Sequence, residues 1–175
     1  MSTDKNNNEV IDTGLKILKY PNPILKQNSE PVTVFDDELA EFVQKLFLTM
    51  RASNGVGLAA PQVGISKRVA VVEYEDKSYV LINPKIISED GEQDGEEGCL
   101  SFPGIYANLK RPMKVKVQAQ DVNGNLNIYE GEGYTARAFL HEMDHLDGRV
   151  FIDYLSNMKR SAIKKKLAKN TGGHF

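Results

Sequence analysis

A chain of 175 residues, 41% hydrophobic and 26% charged, has the composition of an ordinary soluble protein and the length of a single domain. Its net charge of −2 argues against a protein that binds polyanions over its whole surface, and no apolar run approaches the roughly 20 residues of a transmembrane helix. Cys99 is the single cysteine, so an intramolecular disulfide is excluded, which fits a reducing compartment.

The two ends of the chain have the composition of disordered segments. Residues 1–10 are polar, rich in asparagine, and without the apolar stretch of a secretory signal. We therefore expect a disordered arm at residues 1–10 and a flexible tail at residues 170–175, both attached to one domain spanning residues 1–175. We also expect the protein to be cytoplasmic.

The first half of the chain contains one clear helix pattern followed by strand patterns. Asp36 is predicted to cap a helix that ends near Ser53-Asn54-Gly55. Its buried face is formed by apolar residues at helical spacing: Leu39, Phe42, Val43, Leu46, Phe47 and Met50. A loop over residues 55–64 is expected to lead into strands at residues 69–74 and 79–82. The acidic, glycine-containing residues 86–98 are predicted to form a loop or hairpin.

The second half predicts a hairpin and two more helices. Residues 113–120 alternate between apolar and polar, and Asn123-Gly124 is a tight-turn signal, so residues 126–129 should pair back. Helices are expected at residues 134–146, closed by Gly148, and at residues 155–169. We therefore predict an α+β fold in which antiparallel or mixed sheets pack around the helix at 134–146.

That central helix carries the most informative motif of the chain, His141-Glu142-Met143-Asp144-His145. The two histidines are one turn apart on the same helix face, where their imidazoles can bind one metal ion, and Glu142 can handle a proton beside it. The pattern H-E-x-x-H thus indicates metal-assisted hydrolysis. Two accidental surface histidines are the alternative interpretation, but the whole chain has just three.

A catalytic site of this kind needs a third protein ligand and one open position. His174 lies beside the C-terminus, and Asp147 and Asp153 are the nearest acidic residues downstream. Cys99 is the fourth candidate, although a lone cysteine is more often a buried structural thiol. Its neighbours Gly98 and Pro103-Gly104 suggest a shaped turn, yet the spacing leaves these alternatives open.

Three segments together resemble the signature sequences of the peptide deformylase family. They are Gly55-Val56-Gly57-Leu58-Ala59-Ala60-Pro61-Gln62, Glu97-Gly98-Cys99-Leu100-Ser101 and the motif at 141–145. The resemblance extends from about Leu15 to Asp153 and is to the bacterial branch that ends in a helix. It implies a metal-dependent hydrolase that removes the N-formyl group from formyl-methionine at the amino terminus of newly made polypeptides and releases formate.

The resemblance also implies the reacting groups. Cys99, His141 and His145 match the metal ligands, and the ion is usually Fe(II), which Zn, Ni or Co can replace. Glu142 matches the residue that takes a proton from water and passes it to the leaving amine. The side chain of Gln62 and the backbone N–H of Leu100 match the donors to the oxyanion.

Further residues are expected to bind the substrate or to orient the ligands. The substrate-binding candidates are Gly55, Val56, Gly57, Tyr106, Arg137 and Ala138, with Tyr134 beside them on the helix. The aliphatic part of Arg137 is expected to form a pocket wall while its charge reaches water. Glu97 and Asp144 are candidates to accept the second N–H of a ligating histidine, and Asp144 has the alternative of an ion pair with Arg111.

The predicted C-terminal helix is basic on most of its surface. Its apolar stripe would comprise Leu155, Met158, Ile163 and Leu167, and its cationic residues are Lys159, Arg160, Lys164, Lys165, Lys166 and Lys169. Simple docking with a solvated face is one interpretation. The resemblance adds another, a contact with the ribosome, whose RNA would attract these cations. A monomer that does not bind membranes is expected.

Two other functions remain open at this stage. A peptidase with H-E-x-x-H would cleave internal amide bonds, but it would need a third ligand downstream of the motif. A non-catalytic ribosome-associated factor would use the metal only as a structural element, and Glu142 would then be dispensable.

Overall fold

The computed structural model of the protein describes residues 12–172. Within them lie three α-helices, α1 (Asp37–Ala52), α2 (Tyr134–Leu146) and α3 (Asn157–Gly172). The strands are β1 (Gly57–Ala59), β2 (Val69–Tyr74), β3 (Lys77–Asp90), β4 (Gln93–Cys99), β5 (Phe102–Arg111), β6 (Lys114–Gln120) and β7 (Leu126–Glu132). None of the three helices is long and apolar enough to cross a membrane.

The strands form two antiparallel sheets. Five of them make a sheet in the order β1-β2-β3-β6-β7, and β4 pairs with β5 in a separate hairpin. The turn predicted at Asn123-Gly124 joins β6 to β7, and Gly124 has the left-handed φ of 84° that favours glycine. The predicted α+β class with antiparallel sheets is confirmed.

The five-stranded sheet is covered by a helix on each face. Val69 and Val71 pack in one apolar cluster with Leu46 of α1. Ala70 and Val72 pack in another cluster with the apolar side of α2. Since neighbouring residues of a strand point to opposite faces, β2 is buried on both sides, which explains its unbroken apolar sequence.

The clearest sequence signals gave accurate boundaries. The carboxylate of Asp36 accepts the N–H of Leu39 at 3.0 Å and caps α1, as predicted. In contrast, the expected loop at 55–64 contains β1 and a 3-10 turn, Ala60–Val63. The expected loop or hairpin at 86–98 consists mainly of the end of β3 and all but the last residue of β4. These strands are polar or glycine-rich, so they lack the alternation by which strands are recognised.

The C-terminal helix differs in detail from its prediction. It begins at Asn157 rather than Leu155, and it continues to Gly172, into the expected flexible tail. Met158 is 83% exposed and does not belong to the buried stripe, whereas Leu167 and Ile163 pack in a third apolar cluster with Phe102. The predicted arm at 1–10, and the last three residues with His174, lie outside the described residues.

Candidate active site

Helix α2 places the motif in the interior between the sheet and the hairpin. Its N-cap is Gly133, with a φ of 62°, and its end is followed by Gly148, with a φ of 71°. A Cβ at Gly148 would lie 2.7 Å from the carbonyl oxygen of Lys26, so a side chain there would force two chain segments apart. His141, Glu142 and His145 are all buried.

Cys99, at the end of β4, meets the two histidines. Its Sγ lies 3.3 Å from Nε2 of His145, and one donor atom from each of Cys99, His141 and His145 lies within 4.8 Å of the others. With Zn–S near 2.3 Å and Zn–N near 2.0 Å, tetrahedral coordination places S and N about 3.5 Å apart. The three side chains therefore fit a divalent ion and could bind it. Asp147 and Asp153 pair instead with Arg68 and Lys26.

Glu97 holds His141 in the orientation that this ion would require. Its Oε2 lies 2.7 Å from Nδ1 of His141, and both of its oxygens accept bonds from Arg111, at 3.0 and 2.8 Å. Burial opposes its ionisation, but the bonds from His141 and Arg111 outweigh this and lower the pKa of Glu97 to about 2. Because an ionised carboxylate can only accept, Nδ1 carries the proton and Nε2 is left free for an ion.

Asp144 forms the ion pair with Arg111 that was the alternative prediction for it. Its Oδ2 accepts from Nη1 of Arg111 at 2.9 Å and from the hydroxyl of Tyr154 at 2.9 Å. Glu97 therefore orients the ligand, and Asp144 belongs to the ion-pair network around Arg111. Among residues 12–172, Nδ1 of His145 has no hydrogen-bond partner.

Glu142 lies beside the three candidate metal ligands, with its Oε1 4.0 Å from Nε2 of His141. Burial raises the pKa of Glu142 to about 7, and its Oε2 has no partner among the described residues. Opposite it stands Gly57, where a Cβ would lie 2.6 Å from Oε1 of Glu142. The carboxyl group is thus confined by β1 and has a pKa suited to taking up and releasing a proton near neutral pH.

Gln62 is fixed beside the thiol by three contacts. Its Oε1 accepts the N–H of Ala59 at 2.9 Å, and its Nε2 lies 3.2 Å from Oγ of Ser101 and 3.5 Å from Sγ of Cys99. Leu100 forms the turn between β4 and β5, and its side chain packs against Gly55, where a Cβ would lie 2.6 Å from Cδ1. Both predicted oxyanion donors therefore lie near Cys99, in segments that are held by hydrogen bonds or by packing.

These groups line one cleft with a volume of about 400 Å³. All six predicted substrate-binding residues are part of its lining: Gly55, Val56, Gly57, Tyr106, Arg137 and Ala138. Tyr106 is 65% exposed, and its ring lies over Gly98, where a Cβ would come within 2.8 Å of it.

The expectation that the charge of Arg137 reaches water is wrong. The residue is 3% exposed, and its Nη1 donates to Oε1 of Glu97 at 3.1 Å. The charge of Arg137 is therefore paired inside the protein with the carboxylate of Glu97. Gly95 provides the space, because a Cβ there would lie 2.9 Å from Nη2.

Three residues of the site were missed in the sequence. Ser101 supports Gln62, Gly95 admits Arg137, and Lys19 contributes to the cleft from a distant part of the chain. Ser101 could have been found, since it ends one of the signature segments. Lys19 is 81 residues from its hydrogen-bond partner Leu100, and no local pattern links them.

Comparison with known proteins agrees with this geometry. Residues 14–161 match the sequence model of a family described as polypeptide deformylase. A peptide deformylase of Acidobacterium capsulatum is 47% identical over 87% of this chain and 93% of its own.

Solved structures give the same result. The crystal structure of a peptide deformylase from Legionella pneumophila has a TM-score of 0.87 and 40% identity, over 91% of this chain and 96% of that one. One from Ehrlichia chaffeensis in complex with actinonin has a TM-score of 0.86 and 39% identity, over 89% and 96%. From the family match and these relatives together, we conclude that the chain belongs to the polypeptide deformylase family.

Proposed function

We propose that this protein hydrolyses the N-formyl group from formyl-methionine at the amino terminus of newly made polypeptides, releasing formate. The observation that carries the proposal is the grouping of Cys99, His141 and His145, of which Cys99 and His141 line the cleft together with Glu142 and Gln62. Family membership favours this function over an H-E-x-x-H peptidase and over a non-catalytic factor.

Glu142 and the two oxyanion donors perform the steps that the protein itself contributes. The carboxylate of Glu142 takes a proton from the attacking water while the water oxygen bonds to the formyl carbon. Nε2 of Gln62 and the N–H of Leu100 donate to the carbonyl oxygen as it becomes negative. Glu142 then delivers the proton to the amide nitrogen, the C–N bond breaks, and formate and a free amine leave.

Cys99, His141 and His145 are the proposed ligands of one divalent ion. When bound, such an ion supplies a Lewis acid that polarises the formyl carbonyl and makes a water acidic near neutral pH. We propose Fe(II) as the ion in the cell, with Zn, Ni or Co as substitutes, and elemental analysis of anaerobically purified protein would identify it.

The cleft lining suggests how the peptide is held. The backbone at Gly55, Val56 and Gly57 is proposed to pair with an extended peptide as an added strand. Ala138 and the buried Arg137 are proposed to wall the slot for the methionine side chain, with Tyr106 flanking the peptide at the mouth. A small residue at 138 leaves room for the unbranched methionine.

One assay separates the three candidate functions. Anaerobic, Fe(II)-loaded protein is incubated with formyl-Met-Ala-Ser and with its unformylated counterpart, and formate and new amines are measured. We expect formate from the first peptide and no internal cleavage of either. Glu142→Gln should lower kcat by roughly 100- to 10,000-fold, the usual contribution of a general acid–base group.

The outcomes are distinct for each function. Internal cleavage products would support the peptidase instead, and absence of any turnover by metal-loaded protein would support the non-catalytic factor. Near-normal turnover by Glu142→Gln would reject the proposed role of Glu142, even if formate is released. Cys99→Ala that keeps full metal occupancy would reject Cys99 as a ligand.

The remaining proposals concern where and with what the enzyme acts. Its substrate is made on ribosomes, so we propose that it works in the cytoplasm, as a monomer of one domain covering residues 1–175. The exposed lysines of α3 are proposed to contact the ribosome, because they face solvent while Leu167 anchors the helix. Size-exclusion chromatography with light scattering tests the monomer.

A further inference from the structure

The segment Ile17–Tyr20 contributes Ile17 and Lys19 to the lining of the cleft and is hydrogen-bonded to both oxyanion segments. The N–H of Leu18 donates to the carbonyl of Gln62 at 2.7 Å, and the N–H of Tyr20 donates to the carbonyl of Ser101 at 2.9 Å. Lys19 lies between these two anchors and is part of the cleft lining. Its position relative to the reacting groups is therefore fixed by its backbone.

The ammonium group of Lys19 has unused binding capacity. Its Nζ donates one bond, to the carbonyl of Leu100 at 3.0 Å, whereas an ammonium carries three donors. Among the described residues that line the cleft, the other formally charged side chains, Glu97, Arg137 and Glu142, are buried. Among these charged side chains, Lys19 is thus the exposed one that an anion in the cleft could contact.

Lys19 also lies within reach of the first residues of a bound peptide. Leu100 follows Cys99 directly, so covalent geometry limits the distance from Nζ of Lys19 to the thiol to about 12 Å. An extended peptide advances roughly 3.3–3.6 Å per residue, so 12 Å covers about three residues. A formylated peptide has no amino-terminal cation that Lys19 would repel.

We propose that Lys19 is a specificity-determining residue that binds a carboxylate in the cleft, an inference that rests on the proposed function. Two sources have this chemistry: an acidic side chain at the second or third residue of the substrate, and the released formate. If the carboxylate is that of the substrate, the ammonium group of Lys19 makes hydrolysis of an N-formyl peptide with an acidic residue more efficient than hydrolysis of its neutral isostere. If it is that of formate, the same group makes the enzyme retain formate more strongly.

The test compares isosteric peptides on matched variants. The substrates are C-terminally amidated formyl-Met tripeptides with Asp or Asn at the second or third residue, and kcat/KM is measured for each. The proteins are wild type, Lys19→Ala, Lys19→Arg and Lys16→Ala. Lys16 is an exposed lysine directly before this segment that does not line the cleft, so it controls for net charge. Competition by sodium formate at constant ionic strength is measured in parallel.

We expect the Asp/Asn ratio of kcat/KM to fall about two- to fivefold in Lys19→Ala, the range of an exposed ion pair. It should stay at the wild-type value in Lys19→Arg and Lys16→Ala, and the wild-type ratio should move towards that of Lys19→Ala in 0.5 M salt. If Lys19→Ala has the wild-type Asp/Asn ratio but is inhibited two- to fivefold more weakly by formate, the proposal is also supported. The carboxylate that Lys19 binds is then the released formate.

Two results would overturn it. If both the ratio and the formate inhibition are the same in wild type and Lys19→Ala, Lys19 binds no carboxylate, whether or not turnover falls equally for all peptides. If wild type hydrolyses neither Asp nor Asn peptides, the proposed function fails and the role of Lys19 fails with it. Hydrolysis of the Asn peptides by wild type therefore separates the two failures.

Discussion

Gly57 leaves the space that Glu142 occupies. A methyl group at this position would lie 2.6 Å from Oε1 and 2.8 Å from both Cδ and Cγ of Glu142, too close for any of them. In Gly57→Ala the carboxyl group must therefore move away from the reacting water. Because a displacement of about 1 Å at a reacting group can cost 100-fold, we expect kcat for formate release to fall by roughly that factor.

A second glycine controls for general loss of stability. Gly14 has a φ of 74°, so Gly14→Ala introduces backbone strain, but a methyl there meets no atom within 4 Å. This variant should be less stable and retain wild-type kcat. Gly57→Ala with wild-type kcat would mean that Glu142 is not held by β1.

At the level of single residues, the sequence indicated the proposed ligands and the contact of Glu97 with His141, but it missed other supporting residues. His141, Glu142 and His145 form a local motif on one helix, so their proximity follows from helix geometry. Cys99 was one of four candidates on chemistry alone, and only resemblance favoured it. The burial of Arg137 depends on the absence of a side chain at Gly95, 42 positions away, and no local pattern contains such a relation.

Some strands and helices could be predicted accurately from the sequence, and others could not. The boundaries of α1 and β6 follow from apolar residues that repeat with a regular period. β4 has no such period: it contains Gly95 and Gly98, and its one buried carboxylate, Glu97, is stabilised by arginines of β5 and α2. Its strand conformation is therefore determined by tertiary contacts, which cannot be inferred from neighbouring residues.

Helix α3 is the element that bears on the ribosome proposal. Reversing two of its exposed charges, Lys164→Glu with Lys165→Glu, should weaken co-sedimentation with ribosomes, because these lysines would neutralise phosphates of ribosomal RNA. For the unmodified protein, raising salt from 50 to 200 mM should lower the affinity roughly threefold per phosphate contacted. Catalysis on free formyl peptides should be unaffected.

The control for α3 is the same change of net charge on another surface. Lys77 and Lys85 are exposed on β3, and the double change Lys77→Glu with Lys85→Glu should leave co-sedimentation intact. Equal losses in both double variants would indicate a general charge effect. If ribosome binding changes neither with the salt concentration nor with the charge reversals at Lys164 and Lys165, there is no electrostatic contact through α3.

On the scale of the whole molecule, the proposed metal site adds a further link between the two-stranded hairpin and helix α2, beside the bonds of Glu97 and Arg111 to that helix. Cys99 ends a strand of the two-stranded hairpin, while His141 and His145 belong to the helix that packs on the five-stranded sheet. An ion bound to all three therefore stabilises the folded state as a whole. At a thousandfold excess over its Kd, a ligand contributes about 4 kcal/mol to the free energy of unfolding.

Removing the ion should consequently lower the Tm of the protein by roughly 8–16 °C, at 2–4 °C per kcal/mol for a chain of this size. Calorimetry with and without a chelator measures this shift, and one domain should give a single cooperative transition in both conditions. In Cys99→Ala the chelator should have little effect, because the ligand set is already incomplete. An unchanged Tm after verified loss of the ion would contradict the proposed ligation, whereas two separate transitions would contradict the single domain.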